Sequence, residues 1–212
     1  MAQRTVVPRG RHAPPLHVRK DRQRARLHEA AAAVFARMGY ADATAELIAR
    51  EAGMSKATFY EHFDNKEDCI CALFDSALAH LLEAMRTSEE AAGGIGDRYR
   101  PSITRLLSVM AENPHVSQTL LVEIIGAGPR ASERRALFLA ELARYVDARN
   151  AAAAEAGESP RFASPHDAFA IVGAVVELAS RQLRTGVPAD IRELEPVVTR
   201  LVNSLVAAGE PR

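Results

Sequence analysis

The stretch GMSKATFYEHFDNKEDC, Gly53 to Cys69, mixes residues that ordinarily keep apart. Phe59, Tyr60 and Phe63 fall close together, with Lys56, His62 and Lys66 interleaved. A protein core takes the first kind and water takes the second. A short helix with one face packed and the other laid on an anionic polymer uses both. Ser55 can cap such a helix, running to about Phe63, because its hydroxyl accepts from a first-turn N–H. Asn65 can cap the next, which begins Lys66-Glu67-Asp68, and acids there suit the positive end of a helix dipole.

The pattern extends outward in both directions. Thr44 can cap a two-turn helix with Leu47 and Ile48 on its apolar side, and Gly53 stops it. Before that, Leu27, Ala31, Val34, Phe35 and Met38 form one stripe of a helix that starts near Arg22 and ends at Gly39, a residue that takes left-handed backbone easily. Residues 1–19 hold Pro8, Gly10, Pro14 and Pro15 among arginines, with no apolar period, and read as a disordered basic arm. Downstream, Ile70, Leu73, Phe74, Ala77, Leu78, Leu81 and Met85 line a long fourth helix that the AAGGIG run at 91–96 breaks. Further helices are expected at roughly 97–112, 114–126, 130–156, 165–185 and 190–207. No segment alternates as a strand does. The expected fold is all-α, with a basic arm over 1–20, a three-helix helix-turn-helix unit over 21–67 and a helical ligand-binding and dimerisation domain over 68–212.

Composition limits the function classes. The 212 residues are 48% hydrophobic and 25% charged, ordinary for a soluble protein, and no apolar run reaches membrane-spanning length. The N-terminus lacks the continuous apolar segment of a signal peptide, and two cysteines make no disulfide framework, so a cytoplasmic protein without a membrane partner is expected. Net charge is zero, but residues 1–28 carry eight basic side chains against the single acid Asp21. That asymmetry points to an anionic partner at this end. Cys69 and Cys71 face different sides of a helix, the histidines lack metal-ligand spacing, and no G-x-S-x-G elbow occurs. No metal, cofactor or catalytic group is expected, and the chain is not read as an enzyme.

Two short helices joined at Ala52-Gly53-Met54, after a longer one, outline a helix-turn-helix, in which the helix after the turn enters a DNA major groove. Phe59 and Phe63 then fill its inner face, since duplex DNA offers no base faces for them to stack on. The run TAELIAREAGMSKATFYEHFDNKEDC, Thr44 to Cys69, with Leu27, Phe35 and Gly39-Tyr40 before it, resembles the DNA-binding signature of the tetracycline-repressor (TetR) family of bacterial transcription regulators. The resemblance implies a homodimer on a palindromic operator in double-stranded DNA, released by a small-molecule ligand. It assigns Thr44, Tyr60, His62 and Lys66 to backbone phosphate. Ser55 caps the recognition helix, and Lys56, Ala57 and Thr58 face base edges. Lys66 also links operator contact to the sensing domain. Glu46 and Glu61 depart from that picture, being acids on a surface meant for phosphate.

The second half supplies the response. Met85, Met110, Phe138 and Tyr145 are candidates to line a ligand site, Met being adaptable and Tyr amphipathic, although each also suits plain core. Val172, Val176, Ala179 and Leu183 form one stripe, and Leu194, Val198, Leu201 and Leu205 another; together they are expected to build a dimeric four-helix bundle, unless they face their own subunit's core. The alternative to a regulator is a helical small-molecule binder or enzyme whose N-terminal unit mediates protein contacts.

Overall fold

Side-chain caps start the short helices of the first half. Thr44 Oγ1 accepts from Leu47 N at 3.2 Å, Ser55 Oγ from Thr58 N at 3.1 Å, and Asn65 Oδ1 from Asp68 N at 2.8 Å. Each answers one of the N–H groups that a helix start leaves without an intrahelical partner. The computed structural model describes residues 15–91 and 98–209. Among them are nine α-helices and no strand: α1 Leu16–Asp42, α2 Ala45–Glu51, α3 Lys56–Tyr60, α4 Lys66–Ala91, α5 Arg100–Glu112, α6 Pro114–Leu121, α7 Pro129–Glu155, α8 Asp167–Thr185 and α9 Glu195–Ala207. Short 3-10 turns occupy Glu123–Gly126 and Ile191–Leu194.

Two differences from the expected element bounds have plain causes. α1 begins at Leu16, earlier than its apolar stripe, because its first turns are exposed and carry no periodic signal. Of the basic arm, residues 15–20 therefore belong to this helix or its edge, and residues 1–14 lie outside the described residues. Gly39 does interrupt α1, at φ 80° and ψ 159°, and the chain resumes a short helical run to Asp42.

The buried residues form two adjoining cores. The first gathers Leu27, Phe35, Ile48, Phe59, Phe63, Ile70 and Phe74 with residues from far down the chain, Leu120, Ile124, Ala127 and Ala131. The second unites α4, α5, α7, α8 and α9 around Leu107, Leu142, Val176 and Val198, and the ring of Phe138 touches both cores. α6 joins them through buried polar contacts: Thr119 Oγ1 donates to Ala32 O at 3.0 Å, and Ser180 Oγ donates to Leu121 O at 3.2 Å. A buried hydroxyl without a partner costs about 1–3 kcal/mol, so both bonds also fix the register of α6.

The α8 and α9 stripes read as a dimer seam are corrected here. Val172, Val176, Ala179, Leu194 and Val198 are buried in their own subunit's core, and Leu183 and Leu205 pack against it. Helical periodicity identifies an apolar face but not what covers it. The exposed residues of α8 include a different set, Phe169, Ala170 and Gly173, with Phe169 52% exposed; those of α9 include Arg200, Asn203 and Ser204. Among the described residues no helix is long and apolar enough to cross a membrane.

Candidate nucleic-acid interface and the cavity behind it

α3 is held from one side only. Phe59 is fully buried and Phe63 nearly so, with ring centroids 5.4 Å apart, while Lys56, Ala57 and Tyr60 are exposed and Thr58 is half-buried. Tyr60, 50% exposed, meets the edge of Phe59 at 5.4 Å, which fixes its ring and leaves the hydroxyl end outward-reaching. The Ser55 cap also contacts the hydroxyl of Thr58 at 2.9 Å. Thus Ser55, Lys56, Ala57, Thr58 and Tyr60 lie together on the short α3, and the cap residue Thr44 of α2 is exposed as well. Glu61 follows the last helical residue, at the C-terminal end of α3, so its carboxylate is at the opposite end of the helix from Lys56. Glu46 occupies the first turn of α2, where an acid is favourable to the helix dipole.

The two remaining expected contacts sit differently. His62 is half-buried, and its Nε2 lies 3.4 Å from Gln23 Oε1 on α1. Burial lowers its pKa; Glu61 opposes that, and Arg24 and Lys20 add to it. Lys66 is occupied inside the fold. Its ammonium donates to Tyr40 O at 2.7 Å, Ala41 O at 3.0 Å and Ala43 O at 3.0 Å, and stands 4.4 Å over the Tyr40 ring. An ammonium has three N–H donors, and here three carbonyls at the negative end of α1 take them. In this arrangement its donors fix α4 against α1 rather than reaching outward to a phosphate.

Three residues of α1 matter here in ways the pattern did not signal. Arg26 donates to Ala52 O at 2.6 Å and so holds the end of α2 at the turn. Arg24 stands over the Phe63 ring at 5.5 Å. His28 stacks on the same ring at 5.5 Å. Burial, with Arg24 and then His62 adding to it, depresses the His28 pKa to about 4, so the ring is neutral at pH 7. A repeated cation or histidine along α1 was the only available sequence signal, and it does not distinguish a DNA contact from a structural one. Arg19, Lys20, Arg22 and Arg24 remain exposed along this helix.

On the other side of α4, the first turn reaches the start of α7. Glu67 Oε1 accepts from Arg130 N at 3.1 Å at the start of α7, and Arg130 pairs with Asp68 at 3.5 Å. Lys66 and Glu67 therefore bind the C-terminal end of α1 and the N-terminal end of α7, each with the charge the helix dipole favours.

Behind this junction lies a cavity of about 380 Å³, within the range of small-molecule sites. Its interior is apolar, built from α5 and α8 residues such as Leu106, Ile171, Val175 and Val176. Met85, Met110, Phe138 and Tyr145 all line it. Polar side chains, His28, Glu29, Ser76, His80 and Asn113, line it where α1, α4 and the α5–α6 turn meet. Distant from them, Tyr99 is held by a buried hub: Asn150 Nδ2 donates to Tyr99 Oη and to Pro160 O, both at 3.0 Å, while its Oδ1 accepts from Arg161 and Phe162 N, both at 2.8 Å.

Residues 27–73 match the family described as bacterial regulatory proteins, tetR family. Among solved structures, the chain is similar to the fatty acid degradation regulator FadR from Bacillus halodurans, with a TM-score of 0.78 and 19% identity over 90% of this chain and 97% of that one. The transcriptional regulator FadR from Bacillus subtilis, in complex with stearoyl-CoA, gives a TM-score of 0.74 and 20% identity over 88% and 99% of the two chains. The regulator PfmR from Thermus thermophilus gives 0.63 and 23%, over 89% and 97%. At such identities the likeness is one of fold.

Proposed function

We propose, from the match of residues 27–73 to the tetR family of bacterial regulatory proteins, a ligand-responsive transcriptional repressor that binds a palindromic operator as a homodimer. The observation that carries the reading is the exposed, capped start of α3 above the buried Phe59–Phe63 pair. Lys56, Ala57 and Thr58 read base edges; Thr44, Tyr60 and His62 meet backbone phosphate, and Ser55 orders the helix start. The exposed basic side chains of α1, with the basic residues before them in the sequence, add sequence-independent attraction. Lys66 contributes by holding α4 rather than by touching DNA. A division at about residues 67 and 68 is part of the proposal, with Ile70, Leu73 and Phe74 of α4 still packed in the core of the recognition unit.

Two-fold pairing through the exposed side of α8 and α9, around Phe169 and Gly173, suits two recognition helices on one palindrome. The cavity is the sensing site, and its apolar interior with a polar rim favours an apolar or amphiphilic molecule in contact with Met85, Met110, Phe138 and Tyr145. Because the similar Bacillus subtilis FadR is in complex with stearoyl-CoA, a long-chain acyl thioester is the first compound to try. Ligand and operator then oppose each other by the same factor.

A gel shift of the purified protein on its own upstream region, at two salt concentrations, tests the reading. Salt-sensitive binding that Lys56→Ala shifts toward random DNA, and that Tyr60→Phe weakens on every sequence, supports it. No shift at low salt refutes it in favour of a helical binder with a protein-contacting N-terminal unit.

A further inference from the structure

His28 touches both halves of the molecule. Its imidazole lines the cavity, and the same ring stacks on Phe63 with an interplanar angle of 27°. Phe63 in turn packs on Phe59, the buried anchor of α3. The path from cavity to recognition helix is thus three rings long, and each ring meets the next at 5.4–5.5 Å. Packed interiors transmit displacement because they leave no slack.

The ring is held at its Nε2 edge by packing: this nitrogen is buried and accepts or donates no hydrogen bond to another protein group. Being neutral at ordinary pH, the ring carries no charge to anchor it to Glu29 or to drive it from Arg24. By contrast, other contacts between the halves are tied: Thr119 has Ala32 O, and Glu67 has Arg130 N.

We infer that His28 is the positioning residue that passes cavity occupancy to the recognition helix, its ring pressing on Phe63 and through it on Phe59. The inference rests on the ligand-responsive reading above and adds the residue through which the response travels. Packing, not a hydrogen bond, carries the displacement, so a phenyl ring in the same place preserves it.

A tethered occupant makes the test independent of ligand identity. Ser76 lines the cavity and is exposed, so Ser76→Cys can be labelled with N-dodecylmaleimide. Native Cys69 and Cys71 are buried, and burial raises both thiols, Cys69 to about 12, so they react slowly. Amide exchange of residues 59–63 is compared with and without the tether in three backgrounds: His28, His28→Phe and His28→Ala. The tether is expected to change exchange by at least about fivefold in the first two, the lower end of ordinary coupling, and by less than about twofold in the third. An unchanged parent, or an equal response in His28→Ala, overturns the inference, as does loss of the response in His28→Phe. Because amide exchange requires no DNA, such a result is distinct from failure of operator binding in the gel shift.

Discussion

Lys66→Met separates two roles that a lysine at this position can play. Methionine keeps most of the apolar stem and removes the ammonium. The ammonium makes three hydrogen bonds to Tyr40 O, Ala41 O and Ala43 O, of which the first and last are partly buried and the second is exposed. A hydrogen bond to a charged group contributes about 1.5–3 kcal/mol when well shielded and less when wet, so the set is worth about 3 kcal/mol, not three full bonds. For a chain of this size each kcal/mol shifts Tm by about 2–4 °C, which predicts a fall of about 6–12 °C. Circular dichroism on thermal denaturation measures it, and DNA affinity is measured on the same samples well below Tm. A Tm within about 1 °C of the parent, together with an affinity loss of about tenfold or more, refutes the reasoning. It means that the ammonium leaves the carbonyls for a phosphate.

Three further outcomes follow from other contacts. Asn150→Leu strips the hub that holds Tyr99, Pro160, Arg161 and Phe162, leaving the buried Phe162 N–H without its acceptor; denaturant unfolding should show a loss of about 3 kcal/mol. Gly128→Ala adds a Cβ at 2.9 Å from Glu67 Oε1 on backbone with φ 109°, and should cost about 2 kcal/mol, with only the contact part recovered when Glu67→Ala is added. His28 binds a proton more readily unfolded, at 6.5, than folded, at about 4, so its contribution is full above pH 6.5 and is lost as pH falls toward 4. At about 1.4 kcal/mol per unit the shift amounts to about 3 kcal/mol, discounted to about 1–2 for partial exposure; urea midpoints for His28→Phe should therefore fall less between pH 7 and 4 than those of the parent.

What was legible in the sequence was local. The caps Thr44, Ser55 and Asn65, the turn at Gly53 and the inward pair Phe59 and Phe63 each depend on neighbours within four residues, and each is where the pattern put it. Met85, Met110, Phe138 and Tyr145 meet at one cavity because they lie on the apolar faces of α4, α5 and α7, which converge there. What was not legible involves partners remote in the chain. Lys66 finds carbonyls 23–26 residues earlier, where nothing in the sequence marks the bent end of α1 as a cation site. Val172, Val176 and Val198 were given the right face and the wrong neighbour, because an apolar stripe is equally suited to its own core and to a second copy.

The closure of the first core by Leu120, Ile124, Ala127 and Ala131 bears on how such proteins can be recombined. A head cut at residue 67 and joined to a foreign sensing body loses those four side chains and the first turns of α4, Ile70, Leu73 and Phe74, that complete the same socket. Exchange of DNA specificity between relatives is then a matter of fitting a plug to its socket, with the α6–α7 corner as the gauge. Replacing the few exposed side chains of α3 leaves that fit untouched, and is the less disruptive route to a new operator.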